Sequence, residues 1–195
     1  MPRRKHEHSK DDVKYSNEKI LNKYSPKTAN QKEMIRCIVE NQISIILGPA
    51  GSGKSLLSIY IACEHLLAGK TDRIILSRPF IETGKGIGFL PGQLNQKIEP
   101  YLVTFEEYLD DILGVTQRRL LQAEGRIIIE PLEFCRGRTF KDCYFILDEG
   151  ANCTFDTLKM ILTRVGTNCR LLINGDPNQS DLNGKYKSGL LDVFN

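Results

Sequence analysis

This chain predicts an α/β fold: a parallel sheet with helices on both faces, built as a single domain. Three observations predict it. Five short runs, residues 43–47, 73–77, 126–129, 143–147 and 170–173, are almost continuously apolar, as strands covered on both faces must be. Helical patterns lie between most of these runs, so successive strands are joined by crossovers and run parallel. Finally, a glycine-rich octapeptide leaves the first run and opens into a helical pattern, an arrangement of strand, turn and helix that belongs to this class.

In chain order, residues 1–24 are polar and read as a basic, flexible arm, with the domain proper covering 25–195. Residues 1–10 hold Arg3, Arg4, Lys5 and Lys10 against Glu7 alone, so the net charge of +3 is concentrated there. Two readings of the arm stay open: solvated disorder, and contact with a phosphate backbone. Residues 32–41 form a short amphipathic helix with Met34, Ile35, Ile38 and Val39 inward. The strand 43–47, the glycine-rich turn and a helix over 54–67 follow, closed by Ala68-Gly69. The second strand, 73–77, ends at Arg78-Pro79. A glycine-rich segment, 82–92, precedes helices over 94–113 and 116–123. The remaining strands follow, with a helix over 155–165 between the last two.

Composition narrows the class of protein. The chain has 195 residues, 41% hydrophobic and 26% charged, ordinary values for a globular enzyme domain. No apolar stretch reaches membrane-spanning length and residues 1–8 lack the apolar core of a signal peptide, so a cytoplasmic location is expected. The 6 cysteines are scattered without a C-x-x-C pair beside only 3 histidines. Neither a zinc site nor a disulfide framework is indicated, and reduced thiols are expected.

The octapeptide Gly48-Pro49-Ala50-Gly51-Ser52-Gly53-Lys54-Ser55 matches a phosphate-binding P-loop in its required context of strand before and helix after. Glycines let successive backbone N–H groups approach a phosphate, Lys54 supplies charge to the β- and γ-phosphates, Ser55 supplies a hydroxyl to Mg²⁺, and the helix presents its positive end. A chance glycine turn is the bland alternative, and the two flanking requirements argue against it. The strand 143–147 ends in Asp148-Glu149, at the sheet edge where α/β ligands bind. There Asp148 suits the metal and Glu149 suits orienting and deprotonating an attacking water. After the last strand, Gln179 in Asn174-Gly175-Asp176-Pro177-Asn178-Gln179 is placed to hydrogen-bond a γ-phosphate or its attacking water, although the tetrapeptide Gly-Asp-Pro-Asn is by itself an ordinary turn.

Together, GPAGSGKS, SRPFIETGKGIGFLPGQL, IEPL with CRGRTF, FILDEGAN, and INGDPNQSDL with SGL resemble the PhoH-like ATPase family, which is related to the first RecA-like domain of superfamily 1 helicases. The resemblance runs from about Ser25 to Leu190. It implies a RecA-like, Mg²⁺-dependent ATPase whose hydrolysis acts on RNA or single-stranded DNA. It also implies that Gln31 reads the adenine edge, that Gln179 senses the γ-phosphate, and that Arg136 and Arg138 are functional. Two departures stand out. Ala151 replaces a glutamine usual after the acid pair, which puts the coupling to nucleic acid in doubt. The chain also stops at Asn195, before a further strand and helix that most members carry, so it reads either as a minimal version of the kind a phage encodes or as an incomplete sequence.

A helicase motor needs two RecA-like domains, so self-association would have to complete the site, presenting an arginine to a neighbour's γ-phosphate. The bland reading pairs Arg136 and Arg138 with Glu133, Asp142 or Asp148. The segment 82–92, with Gly84, Gly86, Gly88 and Gly92 around Lys85, reads equally as a single-strand-binding loop and as a structural connection. Two other functional classes remain: a nucleotide-dependent binding module with little turnover, and a P-loop kinase, against which the Asp-Glu pair favours water as acceptor.

Overall fold

The computed structural model describes residues 21–79, 94–182 and 187–194, and in the helix beginning at Leu94 it describes side chains from Val103 onward. The described residues form α1 (Ala29–Glu40), β1 (Ile43–Leu47), α2 (Lys54–Leu67), β2 (Arg73–Arg78), α3 (Leu94–Leu113), α4 (Val115–Ala123), β3 (Ile127–Pro131), β4 (Cys143–Leu147), α5 (Phe155–Leu162), β5 (Arg170–Gly175) and α6 (Leu190–Phe194). The glycine-rich segment 82–92 and residues 1–20 of the arm lie outside them.

The five strands form one parallel sheet in the order β1-β5-β4-β2-β3. Because side chains alternate across a strand, each strand feeds two cores at once. Tyr144 and Ile146 of β4 join Ile74 and Leu76 of β2 in a core covered by α1, α2, α3 and α4, through Ile38, Ile59, Leu66, Phe105, Leu109 and Leu121. Phe145 and Leu147, with Ile75, Leu171 and Ile173, face the opposite way against Leu158 and Ile161 of α5 and Leu190 of α6. Each such fully buried aliphatic side chain contributes about 1.5–3 kcal/mol. Every residue of β4 is buried, which is why its sequence shows no polar alternation.

Some elements differ from their expected bounds for local reasons. Helix α1 begins at Ala29, three residues early, because Thr28 caps it: the Gln31 N–H donates to Thr28 Oγ1 at 3.2 Å. Helix α5 stops at Leu162, and the chain then turns so that the Arg164 N–H reaches the Ile161 carbonyl. Strand β5 runs on to Gly175, carrying Asn174 into the sheet. The short α6, which follows Ser188-Gly189, has too few residues for a periodic signal of its own.

Candidate nucleotide site

The site lies where the C-terminal ends of β1, β5, β4 and β2 meet, the edge at which parallel sheets bind ligands. A cleft of about 490 Å³ opens there, lined by residues 50–56 of the loop, Arg78, Thr104, Tyr108, Asp148, Glu149, residues 174–176 and Gln179.

The loop is built as its sequence requires. Gly53, with φ of 88°, forms the left-handed turn before α2, and a Cβ there would stand 3.2 Å from Gln31 Nε2. No side chain caps α2, so its first-turn N–H groups face the cleft as an anion site. Lys54 Nζ donates to the carbonyls of Gly48 at 2.6 Å and Pro49 at 2.8 Å, folding back over the loop. Gln31 clamps the loop from outside. Its amide donates to the Ser52 carbonyl at 3.1 Å and accepts from the Lys27 N–H at 2.7 Å.

Opposite the loop, Ser55 Oγ donates to Asp148 Oδ1 at 2.7 Å, and Arg78 Nη2 donates to Asp148 Oδ2 at 2.7 Å. The register explains the second contact. Ser77 of β2 pairs with Leu147 of β4, so the next residue of each strand, Arg78 and Asp148, emerge side by side. Glu149 adopts the left-handed conformation, with φ of 57°, a strained state for a non-glycine residue of the kind that concentrates at functional sites. Its carboxyl opens toward the cleft, yet partial desolvation by the walls, reinforced by the Asp148 charge, pushes its pKa above the ordinary glutamate value against the opposing pull of Arg78 and Lys54. Desolvation, and then Asp148, likewise raises the Tyr108 phenol.

Most of the expected site residues therefore converge on one cleft: Ala50 to Ser55, Asp148, Glu149 and Gln179 line it, the Gly48 and Pro49 carbonyls hold Lys54, and Gln31 is tied to the loop at the Ser52 carbonyl. Gln179 is exposed at the rim. Arg136 and Arg138 do not line it. Arg138 pairs with Glu130 and lies over the Phe140 ring at 5.5 Å, so its partner is none of the three acids expected from the sequence. Arg136 is exposed just beyond the 3₁₀ turn Leu132–Cys135. Ala151 is fully buried in the core that contains Leu190, so position 151 faces the interior in this chain.

Sequence reasoning missed Arg78, Thr104, Tyr108 and Asn174. Arg78 had a usable signal, as the last residue of a strand ending at the same edge as Asp148. Asn174 is buried at the end of β5, where its Oδ1 accepts from Ser58 Oγ at 3.1 Å while Nδ2 has no hydrogen-bond partner. Thr104 and Tyr108 arrive from α3, whose docking over the cleft has no local sequence signature.

A parallel sheet carrying a P-loop beside an acid pair defines a P-loop domain of the RecA-like class. Consistent with this, the chain resembles the UvsW helicase of bacteriophage T4, with a TM-score of 0.56 at 13% identity over 88% of this chain and 58% of that one, a likeness of fold. A family model described as PhoH-like protein matches residues 23–195. The chain is 43% identical to a PhoH-like protein of Bacillus subtilis, over 84% of this chain and 51% of that protein, and 38% identical to protein PhoH of Escherichia coli K12, over 84% and 47%. This chain belongs to the PhoH-like family, and it spans about half the length of the curated relatives it matches. Among the described residues no helix is long and apolar enough to cross a membrane.

Proposed function

We propose that this chain binds ATP with Mg²⁺ and hydrolyses it, and that turnover is coupled to binding of RNA or single-stranded DNA. The observation that carries the reading is the convergence of Ser55 and Asp148 at 2.7 Å directly beside Lys54 and the uncapped start of α2. A hydroxyl and a carboxylate are hard oxygen donors suited to Mg²⁺, and both face the cleft, so the residues fit the ion. When bound, Mg²⁺ neutralises charge on the β- and γ-phosphate oxygens.

The chain's own residues supply the remainder. Loop N–H groups cradle the phosphates, and Lys54 exchanges its loop carbonyls for phosphate oxygens. Glu149 accepts a proton from the attacking water, a role its raised pKa makes easier near neutrality. Gln179 bonds the γ-phosphate or that water from the rim. Gln31, which already holds the loop, presents its remaining N–H to the adenine edge. Nucleic-acid coupling is supported by the basic residues 1–10 and the glycine-rich segment 82–92, and self-association by Arg138 standing outside its own cleft.

ATP hydrolysis measured with and without polynucleotide, across protein concentration and with Lys54→Ala as reference, tests the reading. Turnover stimulated by polynucleotide and abolished in Lys54→Ala is expected. Retained ATP affinity in Lys54→Ala to within about threefold, roughly 0.7 kcal/mol, would refute the loop assignment. Polynucleotide binding should weaken steeply with salt, and its absence even at low salt would refute the coupling.

A further inference from the structure

Asp148 commits both carboxylate oxygens inside the cleft, Oδ1 to the Ser55 hydroxyl and Oδ2 to Arg78, each at 2.7 Å. Its counter-ion is therefore Arg78 and not Lys54, whose ammonium is turned onto loop carbonyls. The pair is sheltered, with side chains 17% and 7% exposed. Arg78 is nevertheless incompletely satisfied: its Nε is buried without a hydrogen-bond partner, although a guanidinium carries five donors in a rigid fork. Its guanidinium carbon lies 5.2 Å from the Phe105 ring centroid, so an aromatic face from α3 backs the cation. Asn174 adds a second buried, unpartnered donor in the lining of the same cleft. A cleft with two orphaned donors is built for an anion that brings acceptors.

We propose that Arg78 is the exchangeable cation of this cleft: it neutralises Asp148 until a divalent cation takes that carboxylate, and then turns its fork onto the γ-phosphate. The inference rests on the ATP and Mg²⁺ reading of the preceding subsection. Like charges sharing one sheltered carboxylate repel, so Arg78 and a divalent cation exclude each other at Asp148. Arg78 meets Asp148 through Nη2 only, whereas phosphate oxygens can accept the guanidinium fork bidentately and would satisfy the orphaned Nε. Phe105 supplies an aromatic face over which the planar group can turn. Arg78 thus supplies from within the chain the positive charge that the sequence sought in Arg136 and Arg138. It also makes metal entry depend on nucleotide, because a free ion must displace the arginine without offering it a new partner.

The test is Mn²⁺ binding to the nucleotide-free protein, followed by electron paramagnetic resonance, in wild type, Arg78→Ala and Arg78→Lys, with ATP binding and turnover measured on the same samples. In Arg78→Ala, Mn²⁺ should bind about tenfold tighter or more, since its competitor is gone, while turnover falls by about a hundredfold. Arg78→Lys keeps the charge and loses the fork. Its Mn²⁺ affinity should stay within about threefold of wild type while turnover still falls by about tenfold or more. Unchanged or weaker Mn²⁺ binding in Arg78→Ala would overturn the exchange, and wild-type turnover in Arg78→Lys would overturn the phosphate contact. If Arg78→Ala does not fold by circular dichroism, Arg78→Lys decides: either tightened Mn²⁺ binding or wild-type turnover there overturns the proposal. A wild-type protein that binds no ATP refutes the preceding reading and the phosphate contact with it, and the Mn²⁺ comparison still decides the exchange.

Discussion

Ser55 and Asp148, 93 positions apart in the chain, meet across a 2.7 Å hydrogen bond. They meet because β1 and β4 run parallel on either side of β5, so the loop after one and the acid pair after the other leave the same edge of the sheet. The chemistry available to the chain is set at that junction.

Glu149→Gln should separate binding from chemistry. The amide keeps the shape and removes the base, so hydrolysis should fall by about a hundredfold or more while ATP remains bound. The raised pKa of Glu149 places the acid limb of the wild-type rate profile above the ordinary glutamate range, and the variant should lack that limb. Stability moves in the other direction. A carboxyl with a folded pKa above its unfolded value favours the folded state below the unfolded pKa and loses that contribution as pH rises through the folded pKa. Glu149→Gln should therefore have a higher Tm than wild type at neutral pH, with the difference disappearing in acid. Wild-type turnover in a variant that binds ATP would remove Glu149 from the catalytic step.

Gln31→Ala is expected to narrow the preference for ATP over GTP, because the amide that donates to the Ser52 carbonyl retains a second N–H for the base. It should also weaken binding of both nucleotides by about 1 kcal/mol, since the loop loses its outer clamp. Competition binding with the two nucleotides reads both effects. A common loss with an unchanged ratio would leave Gln31 as a loop clamp without a role in base selection.

The loop and the acid pair were legible in the sequence because each is a contiguous string in a demanding context. Arg78 and Asn174 were not, because their importance arises from neighbouring strands: register sets Arg78 beside Asp148, and Asn174 gains its place only because β5 lies between β1 and β4. Local periodicity predicted five strands and most helices, yet it contains nothing about strand order. For the same reason it could not foresee that α3 would carry Thr104 and Tyr108 over the cleft.

The C-terminal helix is held by a close approach that tolerates no side chain. At Gly189 a Cβ would lie 2.2 Å from the Phe155 backbone nitrogen, and the Gly189 N–H donates to the Cys153 carbonyl at 2.9 Å. Gly189→Ala should push α6 from α5 and withdraw Leu190 from its buried place beside Gly150 and Gly175. A loss of about 1–3 kcal/mol is expected, read as a drop of several degrees in Tm. An unchanged Tm would show that α6 contributes little to the fold.

Arg138 stands outside its own cleft. It is held by Glu130 and by the Phe140 ring, beyond the edge strand β3 and away from the cleft lining. The Glu130 side chain is only 15% exposed against 40% for Arg138, so releasing Arg138 leaves a sheltered carboxylate at a cost of about 1–3 kcal/mol. Delivered across a subunit boundary to a γ-phosphate, an arginine contributes on the order of a thousandfold to phosphoryl transfer, about 4 kcal/mol, which exceeds that cost. If Arg138 acts in this way, specific activity per subunit should rise with protein concentration. Lys54→Ala and Arg138→Ala, each inactive alone, should recover activity when mixed, because some interfaces then join an intact loop on one subunit to an intact arginine on the other. Arg78 separates the two sources of charge: a monomer whose activity stays flat with concentration and falls in Arg78→Lys draws its cation from within, and in that case Arg138→Ala should turn over like wild type.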